Sequence, residues 1–114
     1  VTWLSYVTFL FNAPNRSGAI VTVKRLESAV EAELVTRVRL AGGVAEKVTV
    51  LGARGFFDRL VVLPGGRVVF CEVKRPRGGI LSQHQILRAD RYRRLGAVTC
   101  VIRNSADIDA LLSS

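Results

Sequence analysis

Residues 55–76 read GFFDRLVVLPGGRVVFCEVKRP, and the fold of the chain turns on how this stretch pairs with itself. Apolar, β-branched and aromatic residues dominate 56–63 and 68–73, with the turn signal Pro64-Gly65-Gly66 between them. This predicts a β-hairpin. If the three turn residues form the loop, Pro64 presetting φ and a glycine taking the left-handed conformation, Leu63 pairs with Arg67 and Asp58 stands opposite Glu72. Strand side chains alternate between faces, so Lys74 shares the face of both carboxylates. A loop of two or four residues would shift the register by one and separate Asp58 from Glu72, whereas a loop of five would preserve the pairing. Directly opposed carboxylates repel, and a pair placed there needs a cation between its members. Lys74 alone gives an Asp-Glu-Lys ion cluster at a sheet end; a divalent metal is the other reading.

Outward from the hairpin, residues 24–41 have helical periodicity, with Val30, Leu34, Val35, Val38 and Ala41 on one stripe and Gly42-Gly43 closing it. On a helical wheel Glu27 and Glu31 fall inside this stripe and Glu33 outside it. A carboxylate on a buried stripe is costly unless it is paired or ligates a metal. Glu27 is near the helix start, where negative charge is favoured; Glu31 requires either a basic partner or a metal. Residues 44–51 are expected to form a strand, and 52–55 a loop carrying Arg54. After the hairpin, residues 75–79 form a basic loop with Arg75 and Arg77, suited to a phosphate backbone or to a plain solvated turn. Ser82 can cap a helix over 83–95 that stops at Gly96 and carries Gln85, Arg88, Arg91, Arg93 and Arg94. Arg88, Arg91 and Arg94 are spaced three apart and share a face, which can follow phosphates or simply face water. A short buried strand over 98–102 and a last helix over 106–112, capped by Ser105, complete the order αβββαβα. The fold class is α/β. Both hairpin strands are apolar on both faces and are expected at the centre of the sheet, covered on two sides.

The chain has 114 residues, enough for one modest core. Its 17 Lys and Arg against 9 Asp and Glu leave a net charge of +8, and most of the basic residues are Arg. Planar guanidinium groups bind phosphate bidentately, so nucleic acid is the leading partner and an anionic membrane surface the weaker one. One His and two separated Cys cannot assemble a His/Cys zinc site of ordinary spacing, nor a mechanism that needs several histidines. Cys71 and Cys100 lie within apolar runs and read as buried thiols of a reduced, intracellular protein. Residues 3–11 are apolar but too short to span a bilayer, and lack the basic start of a secretory signal. With no Met anywhere, residues 1–20 are read as an N-terminal extension and 21–114 as the domain. An extra edge strand or a dimer-forming arm is the alternative for that segment.

Hydrolysing a phosphodiester requires a bound scissile phosphate, a hydroxide near neutral pH and stabilisation of negative charge, all of which Mg²⁺ held by hard oxygen ligands can supply. Asp58, Glu72 and the backbone carbonyl of Val73 are candidate ligands, and Glu31 a further one, direct or through water. Lys74 could orient or deprotonate water or bind phosphate, and Gln85 could hold either by its amide.

The spacing of Asp58, Glu72 and Lys74, with a preceding helical Glu and a following Gln helix, resembles the PD-(D/E)XK nuclease superfamily. More closely, ESAVEAELVTRVRLAGG from Glu27, the DRLVVLPGGRVVFCEVKRPRGG run from Asp58, Leu81-Ser82 with Gln85, and the later Leu95-Gly96 with Val101-Ile102 resemble its VRR-NUC branch, the virus-type replication-repair nuclease domain. The likeness covers about residues 24–112. It implies a restriction-endonuclease-like αβββαβ core, a central mixed sheet flanked by helices, and a Mg²⁺- or Mn²⁺-dependent DNA nuclease. The catalytic set it implies is Glu31, Asp58, Glu72, Lys74 and Gln85, with Arg54, Arg75, Arg77, Arg88, Arg91 and Arg94 as candidate DNA contacts. Small members of the branch imply a cytoplasmic homodimer, in a bacterial or phage-infected cell, that cuts four-way junctions. The family usually has Pro before the motif Asp; Phe57 stands there, which changes strand entry and removes no ligand. A non-catalytic nucleic-acid-binding module on the same fold is the competing reading, but it gives no reason for acids to converge where phosphate must approach.

Overall fold

The computed structural model describes residues 19–52 and 55–114, and the side chains of residue 26 onward within them. Helix α1 spans Ala19–Leu40, β1 Val44–Glu46, β2 Arg59–Leu63, β3 Arg67–Val73, α2 Gln83–Arg94, β4 Val98–Ile102 and α3 Ser105–Ser113. The four strands form one sheet in the order β1-β2-β3-β4. The first two pairings are antiparallel and β3–β4 is parallel, giving the mixed sheet expected, with the hairpin strands at its centre. Residues 1–18 and Arg54 lie outside the described residues, and with them the expectations for the N-terminal run. The proposed boundary at Val21 falls within α1, which continues back to Ala19.

The turn determines the hairpin register. Gly65 and Gly66 both have positive φ, 87° and 79°, and the Gly66 N–H donates to the Leu63 carbonyl at 3.1 Å. Pro64 followed by left-handed Gly65 is the type II pattern, and the second left-handed glycine returns the chain to the ladder. Leu63 pairs with Arg67 and Arg59 with Cys71, as the three-residue loop predicts.

Strand alternation then separates two layers. Val61 and Leu63 of β2, Val69, Cys71 and Val73 of β3 and Ile102 of β4 pack with Val30, Leu34 and Val38 of α1 and with Ile108 and Leu111 of α3. The opposite face carries Phe70, Glu72, Thr99 and Val101 beneath α2. There Phe56, Phe57, Phe70 and Tyr92 form a cluster whose ring centroids lie 5.1–6.0 Å apart, mostly edge to face. Phe57, the residue before Asp58, is a buried member of this cluster.

Several expected boundaries are corrected. β1 stops at Glu46 rather than residue 51, because its partner β2 begins only at Arg59, the ladder ending at Glu46–Leu60; Leu51 is left almost fully exposed. Phe56 and Phe57 leave the hairpin ladder for the aromatic cluster. The strand over 98–102 is present but is the sheet edge, with Val98 exposed. Asn104, not Ser105, caps α3, accepting from the Asp107 N–H at 2.9 Å.

The helical wheel also misplaced one acid of α1. Glu33 is 7% exposed, because α3 as well as the sheet packs on α1, widening its buried arc. The Ser105 hydroxyl donates to the Glu33 carboxylate, 2.7 and 2.9 Å from its two oxygens, and Arg37 lies 3.6 Å away. Val35 is only half-buried and Ala41 exposed, while Leu26 and Ala29 join the buried side.

Gly43 links α1 to β1 under a tight steric limit. A Cβ there would stand 2.5 Å from the Val62 carbonyl oxygen and 3.1 Å from Leu63 Cδ2. Gly43→Ala is therefore expected to lower the unfolding free energy by about 1–3 kcal/mol in urea titrations. An unchanged midpoint would show that the α1–β1 junction yields without cost.

Candidate active site

Asp58 and Glu72 face each other on the α2 side of the sheet, one step beyond the last β2–β3 ladder pair. The Val73 N–H donates to Asp58 Oδ2 at 2.7 Å, which fixes the aspartate against the end of β3. Glu72 is 5% exposed, and its carboxyl is within hydrogen-bonding reach of Asp58. Burial, then the hydrogen bond and negative charge of Asp58, push Glu72 up to about 8, while Lys74 and Arg88 pull the other way. Lys74 follows on the same face, and its N–H donates to the Ile102 carbonyl at 3.0 Å, tying the end of β3 to β4. Two hard oxygen donors close together, one of them pushed toward its protonated form by burial and by the other, fit a divalent cation such as Mg²⁺.

Glu31 is placed otherwise. It lies on α1, on the face to which Arg59 points, and its Oε2 accepts from Arg59 Nε at 2.8 Å. Arg59 also donates to the Ala45 carbonyl at 3.1 Å. The ion pair weighed from the sequence is the contact formed, and among the described residues no three His, Cys, Asp or Glu side chains gather as a metal cluster. Arg59 was missed because its partner depends on which helix covers which face. The adjacent Asp58-Arg59 alternation could have signalled it, since one must face α1 if the other faces Glu72.

Gln85 is brought to the site. Its N–H donates to Ser82 Oγ and its Oε1 accepts from the Ser82 N–H, a reciprocal capping box at the start of α2. Gln85 and Glu72 line one cleft of about 260 Å³ between α2 and the sheet, with Phe57, Ile86, Ala89 and Val101. The cap holds the amide oxygen, leaving the amide nitrogen as the group that can donate to a ligand.

The candidate DNA-contacting arginines divide. Arg75 folds onto its own loop, donating to the carbonyls of Arg77 at 2.7 Å and Gly78 at 3.0 Å. Arg103, unremarked in the sequence, donates to the Gly79 carbonyl. This ties down the loop that follows Lys74, and a Cβ on Gly79 would stand 2.9 Å from Lys74 Cβ. Arg77 is exposed on that loop. Arg88 lies over the Phe56 ring, 5.7 Å from its centroid, and with Arg91 lines a shallow cleft of about 430 Å³ beside Phe56, His84 and Tyr92. Arg94 is turned to Asp90 at 3.0 Å.

The proton on Glu72 has a consequence for stability. Its ordinary value is 4.5, so between pH 4.5 and about 8 the unfolded chain has lost that proton while the folded metal-free protein retains it. Stability contributed by the protonated form is therefore present at low pH and is lost as pH rises through this window. Glu72→Gln is expected to melt above the wild type near pH 9 in EDTA, with the gap closing toward pH 4.5, by differential scanning fluorimetry. A wild type that gains stability over Glu72→Gln as pH rises would contradict the burial of the pair.

No protein-family model matches the chain. A protein of Acyrthosiphon pisum secondary endosymbiont phage 1, described as "Putative nuclease p44", is 38% identical over 86 residues, covering 75% of this chain and 90% of its own length. A solved structure described as a VRR_NUC domain superposes with a TM-score of 0.71 at 31% identity, covering 76% of this chain and 94% of that one. Among the described residues no helix is long and apolar enough to cross a membrane.

Proposed function

Because this chain belongs to the VRR-NUC family of nuclease domains, we propose that it is a Mg²⁺- or Mn²⁺-dependent DNA endonuclease. We assign it to branched DNA, four-way junctions above all, in replication, recombination or repair. Its place is the cytoplasm of a bacterial or phage-infected cell. The observation that carries the reading is the Asp58–Glu72 pair: a buried carboxyl beside a second one, on one face with Lys74.

A divalent ion bound at that pair would bind the scissile phosphate and acidify a water molecule beside it. Asp58, held by the Val73 N–H, and Glu72, held by its strand, present their oxygens without reorganisation. The Val73 carbonyl is assigned as a third oxygen. Lys74 places its ammonium toward the phosphate or the attacking water, and its backbone is fixed by Ile102. Gln85 donates its amide N–H to the same phosphate or water. Glu31, already oriented by Arg59, is assigned a role through water. Arg54, Arg77, Arg88 and Arg91 take the flanking phosphates, with Arg75 and Arg94 contributing field more than contact. Two symmetric nicks in a junction require two sites related by a twofold axis, so the working form is a homodimer.

The test is cleavage of labelled four-way junction, flap, single-stranded and linear duplex DNA with Mg²⁺, Mn²⁺ or EDTA. Junction cutting is expected only with metal, and Asp58→Ala, Glu72→Ala and Lys74→Ala are each expected to lose at least about 100-fold in rate. DNA binding by Lys74→Ala should fall only modestly. Binding without cutting under every condition would identify a binding-only module, and full activity in Asp58→Ala would sink the metal assignment. In the same series, DNA affinity is expected to fall steeply with salt, linearly on a log-log plot; a flat salt response would remove the arginines from the interface.

A further inference from the structure

Cys71 and Cys100 are opposite one another in the parallel β3–β4 ladder, one pair before Glu72–Val101. Their sulfurs are 3.0 Å apart, and both thiols are free. They point into the layer under α1 and α3, away from the carboxylates. Cys71 is fully buried, whereas Cys100 is partly exposed and lines an open cleft of about 280 Å³ between the sheet edge and α3, with Val98, Asp107 and Leu111. Opposed residues in neighbouring strands fall in the Cα separation that a disulfide spans, about 4.4–6.8 Å. Bond formation needs the sulfurs to close to about 2.05 Å, a movement of roughly 1 Å that side-chain rotation can supply. Neither thiol has a part in the phosphodiester chemistry assigned above.

We propose that Cys71 and Cys100 are a reversible redox-modification site, in which a hydroperoxide entering the α3 cleft oxidises Cys100 and Cys71 resolves it to an intramolecular disulfide. The Cys100 sulfur attacks a peroxide oxygen, the O–O bond breaks, and a sulfenic acid and one water (or alcohol) form. The Cys71 sulfur then bonds to the Cys100 sulfur, the S–O bond breaks, and the hydroxyl leaves with the thiol proton as water. Two thiols thus give two electrons to one peroxide. Access sets the order of the steps, since Cys71 is fully buried and Cys100 partly exposed. The product is a covalent staple between the exposed edge strand and the strand that bears Glu72. It closes a loop between residues 29 apart in sequence.

The experiment exposes the full reduced chain to hydrogen peroxide, removes the excess with catalase and measures intact mass and alkylation by iodoacetamide after denaturation. Loss of two hydrogens, no alkylation, a monomeric band without reductant and a melting temperature raised by roughly 10 °C are expected. Dithiothreitol should reverse all four. Cys100→Ser, or Cys100→Ala should that variant misfold, is expected to keep its one thiol and an unchanged melting temperature under peroxide. Two alkylatable thiols after treatment, cross-linking between chains alone, or a sulfinic acid at Cys100 would overturn the proposal. Mass and thiol count do not depend on the nuclease reading, so the failure of one leaves the other standing.

Discussion

The register of one turn determines which side chains can meet at the end of the sheet. Gly66 donating to Leu63, with two successive glycines at positive φ, sets β2 against β3 so that Asp58 and Glu72 face each other. A one-residue slip would send one carboxylate under α1 and the other under α2. The slip is opposed from both layers, since Val61, Val69, Cys71 and Val73 fill the α1 side, while Phe70 packs among the rings on the α2 side. The core therefore enforces a pair that repels whenever both members are charged.

The three central acids show three ways of keeping a carboxylate in a small domain. Glu33 is buried and answered by Ser105 and Arg37, which also fasten α1 to α3. Glu31 is half-buried and answered by Arg59, which fastens α1 to the sheet and, through the Ala45 carbonyl, to β1. Removing either partner would leave an unanswered buried charge, a far larger loss than that of a surface ion pair. Glu72 alone is faced by another acid, and burial, then Asp58, raise its pKa against the pull of Lys74 and Arg88. Perturbation of this kind, beside a cleft and a lysine, is the physical reason for placing the candidate site at Glu72.

What could be read from the residues alone was whatever depends on local chemistry. Pro64-Gly65-Gly66 states its turn, the period-two alternation of the hairpin follows, and with it the shared face of Asp58, Glu72 and Lys74. Ser82 and Gly96 likewise mark the limits of α2. Long-range packing was less legible. Glu33, read as lying outside the stripe, is buried because α3, distant in sequence, packs on α1 and widens its buried arc. The facing of Cys71 and Cys100 was invisible because a parallel pairing across a helical crossover has no turn to set its register. Arg75 has a basic side chain in a glycine loop, which suggests phosphate, yet the nearest acceptors are the carbonyls of its own loop. Phe56 and Phe57 have strand-forming chemistry but are taken from the ladder by the rings of Phe70 and Tyr92.

The central claim is that the hairpin register builds an oxygen site for a divalent cation between Asp58 and Glu72. Crystals grown with Mn²⁺ and measured at its absorption edge test it without reference to any substrate. The account predicts one anomalous peak within about 2.2 Å of a carboxylate oxygen from each residue. Peaks elsewhere, with the two carboxyls still sharing a proton, would contradict it.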